Sequence, residues 1–240
     1  FNTFKPADQE SPELRQRKLL STIGQLLESE HYSPRNIDDA FSKEVFAAYF
    51  KALDPEKNTF LQSDLDSLSN YNSTIDDEIH GADIKFEPAA SKLYDIRYKE
   101  AKLIADSIFK QTFNFNIDDS VYLDADSLNY PKNNSERYDR WYKIIKYKTL
   151  EKYISLMDDR DAQSKKKTPD TAKSAVNKFV YKSDSELEVD ARNAVAKVYH
   201  KRFESLDKTY NEELVEDVLS IITVYSAKLY GQRSHKQLNI

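Results

Sequence analysis

The sequence has no cysteine. That removes disulfide staples, zinc–thiolate sites and cysteine nucleophiles together, and leaves the redox compartment open. It has only 3 glycines in 240 residues, where average usage would supply about 7%. Nucleotide loops, oxyanion turns and tight hairpins use glycine for positive φ or close backbone approach. The scarcity therefore points to helices joined by plain turns and away from most active-site loops. No apolar run approaches the roughly 20 residues of a membrane span. A basic excess is also missing: the net charge is −5, so nucleic acid is not an expected partner. G-x-S-x-G, P-loop and dinucleotide signatures are absent, as is any H-E-x-x-H pair.

What is present is a chain 39% hydrophobic and 32% charged, with 16 tyrosines and 12 phenylalanines. That balance fits a water-facing globule with an aromatic-rich core. Helical periodicity dominates. Residues 1–10 read as a loose arm, and a helix follows with Ser11 as N-cap and Pro12 in its first turn. Its expected buried side chains are Leu19, Leu20, Ile23, Leu26 and Leu27. After a break at Ser33-Pro34, a helix over 37–53 carries Phe41, Val45, Phe46, Tyr49, Phe50 and Leu53 on more than one face. It is expected to be a hub packed by the 11–30 and 87–112 helices.

A helix over 62–80 ends at His80-Gly81, with glycine at the left-handed C′ position. The helix over 87–112 shows a stripe of Ala90, Tyr94, Tyr98, Ala101, Ala105 and Ile108. Residues 113–123 alternate and admit a short extended piece. A helix over 135–158 has apolar residues on two sides, so it is sandwiched or bent. Residues 159–169, with the lysines 165–167 and Pro169, read as a charged, solvated boundary loop. Beyond it come a stripe of Leu187, Ala191, Ala194, Val198 and Leu206, and another of Leu214, Val218, Ile221, Ile222, Tyr225 and Leu229. The expected fold is all-α, a multi-helix orthogonal or bundle-like domain with at most one short extended segment near 113–123. Its expected parts are an arm (1–10), a main helical domain (11–158), the boundary loop (159–169), a C-terminal helical part packing on the first (170–230) and a tail (231–240).

Candidate chemistry begins at Asp54. Counted from there, Glu56 and Asn58 fall at the third and fifth ligand positions of an EF-hand calcium loop. Thr59 stands where that loop needs glycine, and Leu65 where it needs a bidentate glutamate. A turn between helices explains more: Asp54-Pro55 stops one helix, and Asp64 and Asp66 favour the start of the next. His31, His80, His200 and His235 are scattered and read as surface or capping residues. The clusters Asp76-Asp77-Glu78 and Asp158-Asp159-Asp161 read as helix ends and solvated loops. Tyr138, Tyr142, Tyr147 and Tyr153 are spread round one helix, either as packing or as a protein-binding face. No catalytic, cofactor-binding or metal-ligating residue is assigned, and no cofactor is expected.

Two blocks resemble a known family. His31-Tyr32, Ala40-Phe41, Leu53-Asp54, Asn58, Phe60-Leu61 and Asp64 follow the order seen in the N-terminal domain of tail-specific proteases, the C-terminal-processing peptidases of bacterial envelopes. Residues 113–147, with Pro131-Lys132-Asn133 and the Trp141 helix, are similar to a second block of that family. In that family a helical domain precedes a PDZ domain and a peptidase domain with a Ser-Lys dyad. Neither motif is present here. The end, SAKLYGQRSHKQLNI, departs from the family's usual junction and keeps only His235, in a different setting. The resemblance implies a non-catalytic domain of a serine-type endopeptidase in the periplasm or cell envelope. It would frame substrate access and support self-association or adaptor docking. Its partners would be protein substrates, the PDZ and peptidase domains of a longer parent, and an adaptor or a second copy. A stand-alone helical protein-binding module is the alternative. The opening at Phe1 fits a processed or trimmed chain, with any signal peptide upstream.

Overall fold

The computed structural model describes residues 11–30, 36–165 and 181–213. His31-Tyr32, Ser33-Pro34, Lys166, Lys167, Pro169, His235, the arm 1–10, the 214–229 stripe and the 231–240 tail lie outside those residues. The described residues contain helices and turns but no strand. Seven α-helices follow in order: α1 Pro12–Gln25, α2 Asp39–Leu53, α3 Gln62–Ser67, α4 Ile75–Ile79, α5 Phe86–Phe109, α6 Asn134–Lys165 and α7 Asp184–Glu213. A π-helical turn over Leu26–Glu30 extends α1.

The helix starts follow from side chains that satisfy free N–H groups. Ser11 caps α1 through Leu14 N, with Pro12 as its first residue. Asp38 Oδ1 accepts from Ala40 N and Phe41 N, each at 3.0 Å, to open α2. Glu78 reaches forward from α4 and accepts from Lys85 N and Phe86 N, both at 3.0 Å, so it opens α5. Gly81 has φ +105°, the left-handed conformation expected after a helix end.

The expected single helix over 62–80 is not formed. It is divided into α3, a 3₁₀ turn over Ser69–Ser73, and α4. The run Ser69-Asn70-Tyr71-Asn72-Ser73-Thr74 explains the break. Short hydroxyl and amide side chains compete for the backbone and weaken an α-helix interior. The helix expected to end near 158 continues to Lys165.

Two apolar cores share α5. The first gathers Phe41, Val45, Tyr49 and Phe50 of α2 with Phe60, Ile75, Ile79, Phe86 and Ala90. Phe86 meets the rings of Phe46 and Tyr49, 5.5 and 5.0 Å between centroids. Thus α2 is the centre of this core, but its covering differs from the expectation. The 69–73 turn, α4 and the start of α5 pack on it, whereas α1 docks mainly on α4. Gly24 permits that docking, because a Cβ there would sit 2.5 Å from Ile79 Cγ2. In α1 the buried positions are Leu20 and Gly24, while Leu19 and Leu26 point to solvent. Aliphatic periodicity alone does not reveal a glycine as the contact surface.

The second core joins Ala101, Ala105 and Ile108 of α5 to Phe113, Trp141 and Ile145, and to α7. The α7 stripe is also displaced from the expected one. Leu187, Ala191, Val195, Tyr199 and Phe203 are buried, at steps of four, while Val198 is 66% exposed and Leu206 38%.

Candidate functional site

The two cores meet at the loop Asp54–Leu61, between α2 and α3. Asp54 is 2% exposed. Its Oδ1 accepts from Asn58 N at 3.0 Å, and its Oδ2 accepts from Thr59 N at 2.9 Å and Phe60 N at 3.0 Å. Burial pushes its carboxyl upward, and the three N–H groups pull against that shift. The carboxylate is therefore consumed in holding the loop's own backbone. Lys57 adopts φ 47°, the one positive φ at a non-glycine residue among the described residues. Asn58 Nδ2 donates to Glu56 Oε2 at 2.9 Å, and Leu65 lies half-buried against the first core. No cluster of three His, Asp or Glu side chains placed to hold a metal occurs among the described residues.

The outer side of the loop is braced by α6. Trp141 Nε1 donates to Asn58 O at 2.7 Å, and Arg137 Nη1 donates to Thr59 O at 2.9 Å. Arg140 Nη1 donates to Lys57 O. From Arg137 an ionic chain runs inward. Its Nη2 meets Glu100 Oε2 at 2.5 Å, Glu100 meets Arg97 at 2.8 Å, and Arg97 grips both oxygens of Asp64 at 2.8 Å. Asp64 Oδ2 also accepts from Leu61 N at 2.7 Å, which closes the loop and starts α3. Arg137 is 2% exposed and Arg97 has an 18% exposed side chain, while the Glu100 side chain is 38% exposed, so this is a partly desolvated network with every charge opposed. Sequence reasoning missed Arg97, Glu100 and Arg137. The only local signal was the helical i,i+3 spacing of Arg97 and Glu100, because their partners on α3 and α6 are distant in the chain.

Beside this loop, α5, α6 and α7 leave a cleft of about 210 Å³. Tyr94, Tyr98, Trp141, Tyr199 and Phe203 line it, and a Glu56–Arg202 pair at 3.3 Å stands at its rim. Tyr98 donates its hydroxyl to Phe203 O at 2.8 Å. Burial raises the pKa of Tyr98, and pushes that of Tyr199 up to about 12. Both phenols stay protonated at neutral pH, so neither serves there as a base. The cleft suits an apolar side chain and brings together no nucleophile, base and oxyanion donors as a set.

Several of the remaining candidates are held in local contacts. His80 pairs with Glu28 at 3.2 Å and His200 with Asp106 at 2.9 Å. Asp76 exchanges hydrogen bonds with Ser42, and Glu78 caps α5. Asp161 pairs with Arg160, which also meets Asp184 at 2.6 Å. Tyr142 packs on Phe113, Tyr153 stacks on Phe115, Tyr147 donates to Glu151, and Tyr138 bonds Gln111. These tyrosines serve packing and tethering. No described helix is long and apolar enough to cross a membrane.

The family model described as tail specific protease N-terminal domain matches residues 23–226. Among curated proteins, the tail-specific protease of Haemophilus influenzae is 30% identical over 150 residues, which is 60% of this chain. The aligned stretch spans 21% of that relative's length. Of the residues that carried the resemblance in the sequence, Phe41, Asp54, Asn58, Phe60, Leu61, Asp64, Pro131 and Trp141 are buried and Leu53 is half-buried, whereas Ala40, Lys132 and Asn133 are exposed and His31-Tyr32 lies outside the described residues.

Proposed function

The chain belongs to the family of tail-specific protease N-terminal domains, and on that premise we propose that it is a non-catalytic helical frame of a serine-type processing peptidase in the periplasm or cell envelope. It works in a longer protein beside PDZ and peptidase domains, framing the route by which substrates arrive and offering a surface for self-association or an adaptor. The observation that carries this reading is the family match over 23–226. The use of the family-like residues supports it: Asp54, Asp64 and Trp141 all brace the junction of two cores, as a frame requires, and none presents a reactive group.

Two measurements test the reading. The purified chain, incubated with unstructured casein, leaves it intact, because hydrolysis needs a positioned nucleophile, base and oxyanion donors. In the Haemophilus influenzae relative, this chain replaces the region it aligns with, and the chimera degrades casein faster than a version lacking that region. Cleavage by the isolated chain that survives repurification overturns the non-catalytic part. A chimera no faster than the deletion overturns the framing part.

A further inference from the structure

Residues 118–124 run from Asp118 to Asp124 without helix, turn or bend, across the outer side of α6. The run is pinned by side chains just before it and within it. Phe113 is buried against Tyr142, Phe115 stacks on Tyr153 at 5.5 Å, and Asp119 meets Lys146 at 2.5 Å. Its backbone, in contrast, is little used: among the described residues no main-chain to main-chain hydrogen bond involves 118–124, and only Asp124 O accepts a side chain, from Ser127 Oγ at 2.8 Å. The side chains are open as well, with Ile117 56%, Tyr122 69% and Leu123 66% exposed.

An extended run with free N–H and C=O groups is a template for an added strand. Protein edges are usually blunted by lysine, proline or a bulge, and residues 112–130 contain no lysine, arginine, proline or glycine. The charge that is present is negative. Asp119 within the run is paired with Lys146, which leaves Asp118 and Asp124 at its two ends as the charges an incoming strand would meet. Pairing two copies of this edge antiparallel would set these carboxylates against each other, which is unfavourable. The same carboxylates favour an incoming strand that carries lysine or arginine.

We propose that residues 118–124 form an edge that captures an extended polypeptide by β-augmentation, with a preference for alternating apolar and basic side chains. Main-chain pairing supplies the grip, and Tyr122 and Leu123 offer apolar contact to alternate side chains. This deepens the frame reading, since unfolded chains are what a processing peptidase must hold, and it rests on that reading only for its biological setting.

The test uses the full chain and a fluorescein-labelled peptide, Lys-Val-Thr-Val-Lys-Val-Thr-Val-Lys. Anisotropy shows saturable binding, and hydrogen exchange shows slowed amides at 118–124. An otherwise identical peptide with alternate amides N-methylated binds about tenfold more weakly or worse, because its ladder donors are gone. Val121→Pro in the protein weakens the parent peptide by a similar factor and leaves the melting temperature in place, since the Val121 N–H has no main-chain partner to lose. Equal binding of the methylated peptide overturns the proposal, as does protection centred on the Tyr98 cleft. Slowed exchange at 118–124 in peptide-free protein that rises with protein concentration also overturns it, because the edge would then pair with a second copy. None of these outcomes affects the casein or chimera results, so the two readings fail separately.

Discussion

Asp54 shows how a residue can look like a ligand and be a clamp. Its two oxygens accept three backbone N–H groups of the loop that follows. Asp54→Ala leaves those donors without partners in a buried place, at about 1–3 kcal/mol for each that water cannot reach. Asp54→Asn keeps one accepting oxygen and is expected to lose roughly half as much. Urea midpoints of the two variants check the order, and equal stability of Asp54→Ala and the parent would show that the loop does not depend on the clamp. Glu100 gives a pH-dependent counterpart. Burial raises its pKa, but hydrogen bonds from Arg137 and Arg97 outweigh burial, so the folded value lies below the ordinary one. A depressed carboxyl contributes stability above its unfolded pKa of about 4.3, and loses it as pH falls through the folded value. The stability gap between the parent and Glu100→Gln is therefore widest near neutrality and closes on acidification below about pH 4. A gap unchanged between pH 7 and pH 3 would show that the charge of Glu100 carries none of it.

At the scale of elements, periodicity identified most of the helices. Of the 87–112 stripe, Ala90, Tyr98, Ala101, Ala105 and Ile108 are buried as expected and Tyr94 is half-buried between the two cores, because those positions face a core along one helix. The break of 62–80 was written in Ser69–Thr74 but is a matter of competing local hydrogen bonds, which hydrophobic periodicity does not see. The α7 stripe was placed by its aliphatic residues, whereas the partner helices α5 and α6 present aromatic surface that takes Tyr199 and Phe203. Of the site, the loop residues Asp54, Asn58 and Asp64 were legible as a turn. The Arg97–Glu100–Arg137 chain was not, because it depends on which helices become neighbours. The corrected register has a direct test. Phe203 packs on Trp141 and Tyr98, with centroids 6.4 and 5.7 Å apart. Phe203→Ala is expected to cost about 3–5 kcal/mol, as ring deletions in cores do. Val198→Ala stays within about 0.5 kcal/mol, as for an exposed site. Denaturant unfolding that ranks Val198 as the costlier loss would restore the register read from the sequence.

For the whole molecule, the question is whether the two cores stand or fall together. They share α5, whose first turns carry Phe86 and Ala90 into one core and whose last turns carry Ala105 and Ile108 into the other. They are also tied at the Asp54 loop, where the only tryptophan of the chain, Trp141, reaches from the second core to Asn58 O. A helix cannot lose half its packing and keep its geometry cheaply, since most helical stability in proteins comes from packing of the apolar face. The expected behaviour is one cooperative transition, in which far-ultraviolet circular dichroism and Trp141 fluorescence in urea superimpose. Phe41 provides the sharper test. It is 1% exposed in the first core and belongs to a different cluster from Trp141. Phe41→Ala should remove about 3–5 kcal/mol, a large part of the 5–15 kcal/mol typical of a domain. If the cores are coupled, that loss moves the Trp141 transition to lower urea by the same amount as the circular dichroism transition. A Trp141 midpoint that stays in place while the dichroism splits would mean that the cores unfold separately, and that the junction at Asp54 is a hinge between them.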